Sequence, residues 1–338
     1  MPRAVKTHPR RLMVCMIVAL AVHAAADDSR TDAAYSAPTD ATAILWRDPG
    51  DVSTKDLFWG PGSAARAPKP PLTFVKEDTG GTKPKVQVTD ASGMTWSVKF
   101  DAGDSAGPEV SAEIAASRIL WALGYTVEET YFVPAGRIEG ASGLQRARSV
   151  IQPDGSFGRA RFESRPPDVK RLSKRWTADD NPFKGSQELS GLLILMAALN
   201  NWDFRGANTD VFEIVNSGGV TEHWYVVSDL GTAFGRLGAG LLKRHTRWNT
   251  KHYIEEDAFI VRAHSNRVLF YYAPNGRDRL SVPLEQARWF ATLWSRLTPA
   301  QLRRAFEAAG ASPAEIDAFS KRFVEKQNQL RAAVIPQE

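Results

Sequence analysis

The chain has 338 residues, of which 43% are hydrophobic and 24% are charged, a composition typical of a globular protein with one large domain or two lobes. The formal net charge of +5 does not indicate a nucleic-acid partner, because residues 1–26 carry four basic side chains and no acidic one. Leaving those four out of the 43 basic residues gives 39 against 38 acidic residues. We therefore expect no nucleic acid among its partners.

Residues 1–26 have the layout of a secretory signal peptide. The basic stretch MPRAVKTHPRR precedes an apolar run over residues 12–22, and three alanines at 24–26 offer a cleavage site. We therefore expect an exported protein, either periplasmic or secreted. The alternative is an uncleaved anchor, and only then do we expect membrane contact. The single cysteine, Cys15, precedes the expected cleavage point, so the mature chain is predicted to have no disulfide and no cysteine metal site.

Residues 27–71 are interpreted as an extended N-terminal segment that tryptophans attach to the body of the protein. Three β-rich runs follow, LTFVKED, KVQVTD and MTWSVKF, and the turn residues between them predict an antiparallel meander. A helix is predicted next, from Pro108 to a stop at Gly124. A strand at 129–133 and a hairpin around Asp154-Gly155 complete the predicted β-rich N-lobe, residues 72–180.

Residues 181–338 are predicted to form a mainly helical C-lobe. Residues 189–199 are apolar at helical spacing and suit a core helix, whereas residues 212–215 and 224–227 suit two paired strands. Amphipathic helices are predicted over residues 284–297, 299–309 and 313–333. This order of elements predicts an α+β fold with two lobes and a cleft between them.

Asp203, Asn208 and Asp229 carry the clearest chemical signal. Asp203 and Asn208 stand five residues apart in the polar loop after the predicted core helix, and Asp229 opens an Asp-Leu-Gly sequence at the end of a strand. Phosphoryl transfer from ATP needs one Asp to orient the acceptor hydroxyl, with an Asn and a second Asp to hold Mg²⁺ or Mn²⁺ against the phosphates. The alternative is that Asp203 and Asn208 only form a turn, since both residue types favour turns.

Three features upstream of this loop stand in the order that a kinase-type site requires. Gly80 and Gly81 lie in a turn between two predicted strands, Lys99 lies on the third strand, and Glu113 lies in the next helix. In kinase-type enzymes the strand lysine neutralises phosphate oxygens and the helix glutamate holds the lysine in place. A lysine on a largely apolar strand needs an anionic partner, so the alternative is a structural ion pair with no nucleotide.

With these parts in this order, residues 72–229 and the helical tail resemble the atypical protein-kinase-like superfamily. The likeness is closest to HipA-type serine/threonine kinases and looser to phosphoinositide and secreted kinases. TGGTKPK at residues 79–85 is similar to the phosphate loop of HipA-type kinases, NWDFRGAN at 201–208 to their catalytic loop, and Asp229-Leu230-Gly231 to their second metal ligand. HipA-type loops usually have a histidine where this chain has Arg205, which either neutralises transition-state charge or braces the loop.

The resemblance implies a two-lobed protein-kinase-like fold and a set of site residues. It implies catalytic roles for Asp203, Lys99, Glu113 and Arg205, nucleotide binding by Gly80, Gly81, Thr82, Lys85 and Lys99, and metal binding by Asn208 and Asp229. It implies ATP with Mg²⁺ or Mn²⁺ as cofactors.

The sequence therefore predicts an exported kinase-like phosphotransferase that uses Mg-ATP. The acceptor is a protein, a lipid headgroup or a small molecule, and the sequence does not choose among them. One alternative is a catalytically inactive kinase fold, a pseudokinase, that serves as a binding module of the cell envelope. A weaker one is a metal-dependent hydrolase that uses the same cleft. The basic run at residues 170–175 suits an anionic partner but is interpreted as a solvated face.

Overall fold

The computed structural model describes residues 39–335, except for positions 82, 102, 104, 239–243, 257–258, 265 and 275–278. The predicted signal peptide, residues 1–26, thus lies outside the described residues, as does Thr82. In the part of the chain that is described, no helix combines the length and the apolar character needed to cross a membrane.

The described residues form strands and helices in the following order along the chain. The strands are β1 (Ala43–Ile44), β2 (Leu72–Asp78), β3 (Lys85–Thr89), β4 (Thr95–Phe100), β5 (Thr130–Val133), β6 (Gly136–Glu139), β7 (Ser156–Phe157), β8 (Ala160–Ser164), β9 (Val169–Arg171), β10 (Thr209–Val215), β11 (Thr221–Val227), β12 (Ile260–Ala263), β13 (Arg267–Phe270) and β14 (Ser281–Pro283). The helices are α1 (Glu109–Ala122), α2 (Gln187–Leu199), α3 (Thr250–Glu255), α4 (Leu284–Trp294), α5 (Pro299–Ala308) and α6 (Pro313–Val334).

The N-terminal sheet has seven strands in the order β5-β8-β4-β3-β2-β6-β7. The predicted antiparallel meander is confirmed as β2, β3 and β4. The predicted hairpin around Asp154-Gly155 is confirmed only as a tight turn: Ile151 and Phe157 form an antiparallel bridge, and the N–H of Gln152 donates to the carbonyl of Ser156 at 2.8 Å. Its arms are shorter than predicted, since Ala147–Ser149 is a 3₁₀ turn. β8 instead pairs with β4 and β5, because the middle of the sheet buries its apolar residues Ala160 and Phe162.

The two faces of this sheet differ in chemistry because side chains alternate along each strand. Val86, Val98 and Phe162 are fully buried in a core behind the sheet. The opposite face carries a row of cations, since Lys85 pairs with Lys99 across β3 and β4, and Lys99 pairs with Arg161 across β4 and β8. The sheet therefore presents positive charge to the space between the two lobes.

Helix α1 begins and ends close to the predicted positions. Gly124 follows it at a φ of 92°, and a Cβ atom there would lie 2.2 Å from the carbonyl oxygen of Arg47, so this position requires glycine. The indole nitrogen of Trp46 donates a hydrogen bond of 2.7 Å to the carbonyl of Leu123. The segment before the N-terminal sheet is thus attached to the body by a tryptophan, and β1 adds a parallel strand to β11.

The C-terminal part is built on helices α2, α4, α5 and α6, whose bounds agree with the predicted ones to within three residues. The predicted strand pair is confirmed as β10 and β11, within a sheet of order β1-β11-β10-β9. The short sheet β12-β13-β14 and helix α3 were not predicted, because three to six residues are too few to show a periodic pattern. Residues 165–168 link the two larger sheets. The predicted α+β class, with a β-rich N-lobe and a mainly helical C-lobe, is confirmed.

Candidate active site

Lys99 is the centre of a cluster of charges in the cleft. Its side chain is 8% exposed, and its Nζ contacts the carboxylates of Glu109, Glu113 and Asp229. The contact with Glu109 is the shortest, that with Glu113 is 3.2 Å and that with Asp229 is 3.6 Å. Burial of an ammonium group is costly unless anions compensate it. Here three anions share one cation.

The two glutamates stand one turn apart on α1 and face the sheet together. Glu113 also pairs with Arg161, whereas Glu109 also pairs with Lys83 at 3.3 Å and with Arg247 at 3.4 Å. The sequence predicted Glu113 as the partner of Lys99 and missed Glu109. The i, i+4 spacing of the two glutamates at the start of the helix was the signal that could have found it.

The loop after α2 is held by contacts from three sides. Asn200 ends the helix with a φ of 54°, and its side chain accepts from Lys326 Nζ at 2.8 Å and donates to the carbonyl of Gly235 at 2.8 Å. Asn201 Oδ1 accepts from the backbone N–H of Asp203 at 3.1 Å and from the hydroxyl of Thr232 at 2.7 Å. The loop that carries Asp203 is therefore tied to the segment that follows Asp229.

Asp203 and Asn208 are connected within this loop. The amide nitrogen of Asn208 donates to the backbone carbonyl of Asp203 at 2.7 Å, which leaves the amide oxygen as its ligand atom. Arg205 grips the carboxylate of Asp203, with Nε 2.7 Å from Oδ1 and Nη2 3.3 Å from Oδ2. Of the two roles that the sequence left open for Arg205, bracing the loop is the one that these contacts show.

Asp229 follows β11 and is held beside Asn208. Its N–H lies 3.3 Å from the carbonyl oxygen of Asn208, and its Oδ1 accepts from the N–H of Gly231 at 3.1 Å. Burial raises the pKa of this carboxyl, but the charge of Lys99, the hydrogen bond from Gly231 and the charges of Arg161 and Arg247 together hold the pKa below its ordinary value. Asp229 is therefore ionised at neutral pH, and its side chain is 34% exposed.

These residues line one cavity of about 340 Å³ between the lobes. Eight of the residues predicted for the site are in its lining, namely Gly81, Lys85, Lys99, Glu113, Asp203, Arg205, Asn208 and Asp229. Gly80 is not in its lining, and Thr82 lies outside the described residues. Four parts of the chain thus meet at this cavity: the sheet, α1, the loop after α2 and the end of β11. Their lining residues are distributed over 149 positions of the sequence, from Gly81 to Asp229.

The glycine turn is braced by side chains that the sequence did not single out. The N–H of Gly80 donates to Asp78 Oδ1 at 2.9 Å, and Lys85 Nζ lies 3.4 Å from the other oxygen of that carboxylate. Arg146 donates to the carbonyls of Thr79 at 2.8 Å and Gly81 at 2.7 Å. The Gly80 N–H was predicted to reach a phosphate, and in this structure its partner is Asp78.

Asp210 is a buried acid of the site that sequence reasoning missed. Its carboxylate receives Nε of Arg171 at 2.7 Å and Nη2 at 2.6 Å, and it also contacts Arg175 and the hydroxyl of Ser228. Arg171 and Arg175 belong to the basic run that was interpreted as a solvated face. Their side chains are 45% and 44% exposed, but their guanidinium groups contact the carboxylate of Asp210, which is fully buried. The position of Asp210 two residues after Asn208 was the available signal.

A second cavity of about 550 Å³ adjoins the first. One side of it is apolar, with Val169 from β9, Phe212 and Ile214 from β10 and Val226 from β11. The two cavities share the lining residues Asp78, Ser97, Glu128, Arg165 and Arg171. The cleft therefore has a strongly charged compartment and a second compartment with one apolar wall.

The charged compartment offers oxygen ligands that suit a hard divalent cation. Ligand oxygens of Glu109, Glu113 and Asp229 lie within 4.8 Å of one another, but Lys99 already contacts all three. Asp229 is the most accessible of the three, because its side chain is 34% exposed and its distance to Lys99 is the longest. Its ionised carboxylate and the amide oxygen of Asn208 are oxygen donors of the kind that Mg²⁺ and Mn²⁺ prefer. The donor set thus fits such a cation at the predicted residues.

No protein-family model and no curated protein sequence matches the chain. Among solved structures, the proinflammatory kinase CtkA of Helicobacter pylori is similar at 11% identity with a TM-score of 0.46, over 78% of this chain and 94% of that one. The Golgi casein kinase is similar at 12% identity with a TM-score of 0.38, over 86% and 85%. The same kinase with Mn/ADP bound gives 12% identity and a TM-score of 0.37, over 82% and 81%. At these low values the function has to be inferred from the chain's own side chains.

Proposed function

We propose that this protein is a kinase-like phosphotransferase that transfers the γ-phosphoryl group of Mg-ATP, or Mn-ATP, to an acceptor hydroxyl. The observation that carries the proposal is the joint lining of one 340 Å³ cavity by Lys99, Asp203, Asn208 and Asp229. Each of these side chain types has a distinct task in phosphoryl transfer, and the catalysis consists mainly of positioning and charge stabilisation.

The triphosphate is assigned to the charged compartment. Lys85, Lys99 and Arg161 form a cross-strand row on the cleft face of the sheet, and all three line this compartment. A phosphate oxygen that binds Lys99 would replace part of the contact between Lys99 and the Glu109 carboxylate. Glu113, which is itself held by Arg161, then keeps the lysine in position.

The divalent cation is assigned to Asp229 and Asn208, which would hold it in the charged compartment, where it would neutralise phosphate charge. Asp229 is suited to this role because its pKa is lowered, so that it is an anion across the neutral pH range. Asn208 is suited to it because its amide nitrogen is engaged by Asp203, which fixes the orientation of its oxygen.

The acceptor hydroxyl is assigned to Asp203. In the reaction the acceptor oxygen forms a bond to the γ-phosphorus, the bond from that phosphorus to the β,γ-bridging oxygen breaks, and ADP leaves with its electron pair. Asp203 orients the hydroxyl and accepts its proton. Arg205, bound to Asp203 and 67% exposed, lies at the same place and is available to the transferring group.

The nucleoside is assigned to the second compartment, where the apolar side chains of β10 and β11 offer a surface for the flat face of a base.

The ion pair between Arg205 and Asp203 favours a second candidate function, a catalytically inactive module that binds a nucleotide or an envelope component. With both carboxylate oxygens engaged by the guanidinium, Asp203 has less capacity to accept a proton. The HipA-type likeness, the acceptor and export from the cytoplasm are proposed on the sequence alone. Export depends on residues 1–26, outside the described part of the chain.

The test is calorimetric titration of the full chain with Mg-AMP-PNP, followed by assays of γ-phosphoryl transfer from ATP. The variants are Lys99→Met, Asp229→Asn and Asp203→Asn, with Asp317→Asn as a matched control at a 67% exposed position on α6. We expect Asp317→Asn to behave as wild type, and Lys99→Met and Asp229→Asn to bind at least about tenfold more weakly.

Asp203→Asn separates the two candidate functions. If the protein is an enzyme, this variant should keep its affinity for nucleotide, and its rate of phosphoryl transfer should fall about a hundredfold or more, which is the range for a residue that transfers a proton. For the binding module, wild type binds nucleotide but transfers no phosphate to any acceptor, itself or water. Absence of nucleotide binding by wild type refutes the enzyme and the nucleotide-binding form of the module.

A further inference from the structure

Residues 144–150 form a strap that is bound to the end of β2, next to the glycine turn. The carboxylate of Glu77 on β2 accepts three consecutive backbone N–H groups of the strap. They are those of Gln145 at 2.6 Å, Arg146 at 2.7 Å and Ala147 at 2.6 Å. Ala147 is also fully buried in the core behind the N-terminal sheet. The strap is therefore fixed both to the strand that leads into the glycine turn and to the core.

Arg146 reaches from this strap to the glycine turn. One nitrogen atom of its guanidinium group, Nη1, donates to the carbonyl of Thr79 at 2.8 Å and to the carbonyl of Gly81 at 2.7 Å. Glycine has more backbone freedom than any other residue, and Gly81 has a φ of 73°. The two hydrogen bonds thus restrain the part of the turn that would otherwise be the most variable in conformation.

The bond from Arg146 to Thr79 also sets the direction of the next N–H group. The C=O and the N–H of one trans peptide unit point in opposite directions. Because the carbonyl of Thr79 is directed towards Arg146, the N–H of Gly80 is directed away from the strap. It donates to Oδ1 of Asp78 at 2.9 Å, and Asp78 lines both compartments of the cleft. The turn therefore presents this N–H on the side of the cleft.

The carboxylate of Asp78 shows that an anion fits against the turn. One of its oxygens binds the N–H of Gly80, and the other lies 3.4 Å from Nζ of Lys85. A backbone N–H and a lysine ammonium group are also the donors that bind a phosphate oxygen. The side chain of Asp78 is 42% exposed, so its carboxylate has solvent to turn into when a phosphate replaces it.

We propose that Arg146 is a positioning residue for nucleotide binding, which holds the glycine turn from the strap so that the Gly80 N–H faces the cleft, where a phosphate displaces Asp78. The proposal rests on the proposed function, since it takes the charged compartment as the triphosphate site. Arg146 lines neither compartment, so it acts through the turn and does not touch the phosphates. A turn that is ordered beforehand binds more tightly, because less conformational entropy is lost on binding.

The first test is calorimetric titration of the full chain with Mg-AMP-PNP. Arg146→Met should bind about tenfold more weakly than wild type, which corresponds to the cost of ordering the backbone of one residue. Arg146→Lys should stay within about threefold of wild type, because a single nitrogen atom makes both hydrogen bonds and lysine also supplies one. The control is Arg148→Met, which removes the same charge at an exposed position of the same strap and should bind as wild type.

Wild-type affinity in Arg146→Met overturns the proposal. An equal loss of affinity in Arg148→Met overturns it as well, because the effect would then belong to positive charge in general. Urea denaturation without nucleotide shows that the variants are folded. We expect the midpoint of Arg146→Met to stay close to that of wild type, because the carbonyls that it binds lie in an exposed turn.

The second test uses Asp78→Asn, which keeps the shape of the side chain and removes the charge that competes with phosphate. This variant should bind Mg-AMP-PNP at least about threefold more tightly than wild type. Asp154→Asn is the matched control, because Asp154 also accepts the N–H two residues ahead of it, at 3.0 Å, but lies at an exposed turn and lines neither compartment. Unchanged or weaker binding by Asp78→Asn overturns the proposal.

Failure of the proposed function has a different result. In that case wild type itself does not bind Mg-AMP-PNP. If only the role of Arg146 is wrong, wild type binds the nucleotide and Arg146→Met binds it equally well.

Discussion

Replacement of Lys99 by Met tests the charge cluster at the centre of the site. The substitution keeps most of the apolar stem and removes the ammonium group that contacts Glu109, Glu113 and Asp229. Arg161 still compensates Glu113, and Lys83 and Arg247 still compensate Glu109. Asp229 loses the nearest of the cations that hold its pKa down.

The magnitude follows from the distances. At an effective dielectric constant of about 20, the attraction across 3.2 Å to Glu113 and across 3.6 Å to Asp229 is about 5 kcal/mol for each pair, and the desolvation of the charges offsets much of it. Loss of one partner from a buried ion pair costs about 3–5 kcal/mol. We expect about 3 kcal/mol at pH 7, near the lower end, because two of the three carboxylates retain other cations.

The pH dependence provides a signature that loss of packing does not share. In wild type the folded-state pKa of Asp229 is lowered, so its contribution to the free energy of unfolding is present above the unfolded pKa and is lost as pH falls through the folded pKa. In Lys99→Met the carboxylates repel one another at neutral pH, and protonation relieves the repulsion. The difference in stability between the two proteins should therefore shrink as pH falls from 7 towards about 4.

The assay is urea denaturation followed by circular dichroism at several pH values. Lys170→Met is the matched control, because Lys170 is 70% exposed and 3.5 Å from Glu213, and an exposed pair contributes about 0–1 kcal/mol. A loss below about 1 kcal/mol in Lys99→Met, or a loss of the same size at every pH, would refute the reasoning that three carboxylates depend on this lysine.

Three further predictions concern single residues. Asp210→Asn should lower the free energy of unfolding by about 3–5 kcal/mol, because Arg171 and Arg175 lose a buried anion. Urea denaturation measures this loss of stability, and a loss under about 1 kcal/mol contradicts the prediction. Asp229→Asn should abolish the dependence of nucleotide affinity on Mg²⁺ and Mn²⁺ in calorimetry, and an unchanged dependence rules out this ligand. Burial lowers the pKa of Lys326 well below that of the unfolded chain, so wild-type stability relative to Lys326→Met should rise by up to about 1.4 kcal/mol per pH unit as pH increases from the folded-state pKa towards the ordinary pKa of lysine. Parallel stability curves for the two proteins contradict a lowered pKa of Lys326.

Much of the architecture was predictable because long periodic segments determine their own structure. Helices α2 and α6, the meander of β2 to β4 and the β10–β11 hairpin have strong patterns, and their predicted positions agree with the structure. The hairpin predicted around Asp154-Gly155 was right in its turn and in one antiparallel bridge, but its arms are shorter than predicted because a turn signal does not fix the length of a strand pair. β8 has better partners in β4 and β5, which lie far away in sequence.

The predicted site was found through residue types at defined spacings, and its gaps have a common cause. Lys99, Glu113, Asp203, Asn208 and Asp229 belong to local motifs, and the structure brings them to one cavity. Arg146 carried no motif, whereas Glu109 stands four residues before Glu113 and Asp210 two residues after Asn208, and neither was recognised. Their roles come from long-range contacts, such as the bond from Arg146 to the carbonyls of the glycine turn.

The sequence by itself determined the fold class, the order of the elements and the chemical types present in the cleft, because periodicity and motif spacing are local properties of a chain. Only the tertiary structure decided how the charges are shared: that Lys99 binds Glu109 most closely, that Arg205 binds the carboxylate of Asp203, and that Arg165 contacts both Glu128 and Glu163. Electrostatic interactions depend on distance and burial, and folding sets both between residues that are remote in sequence.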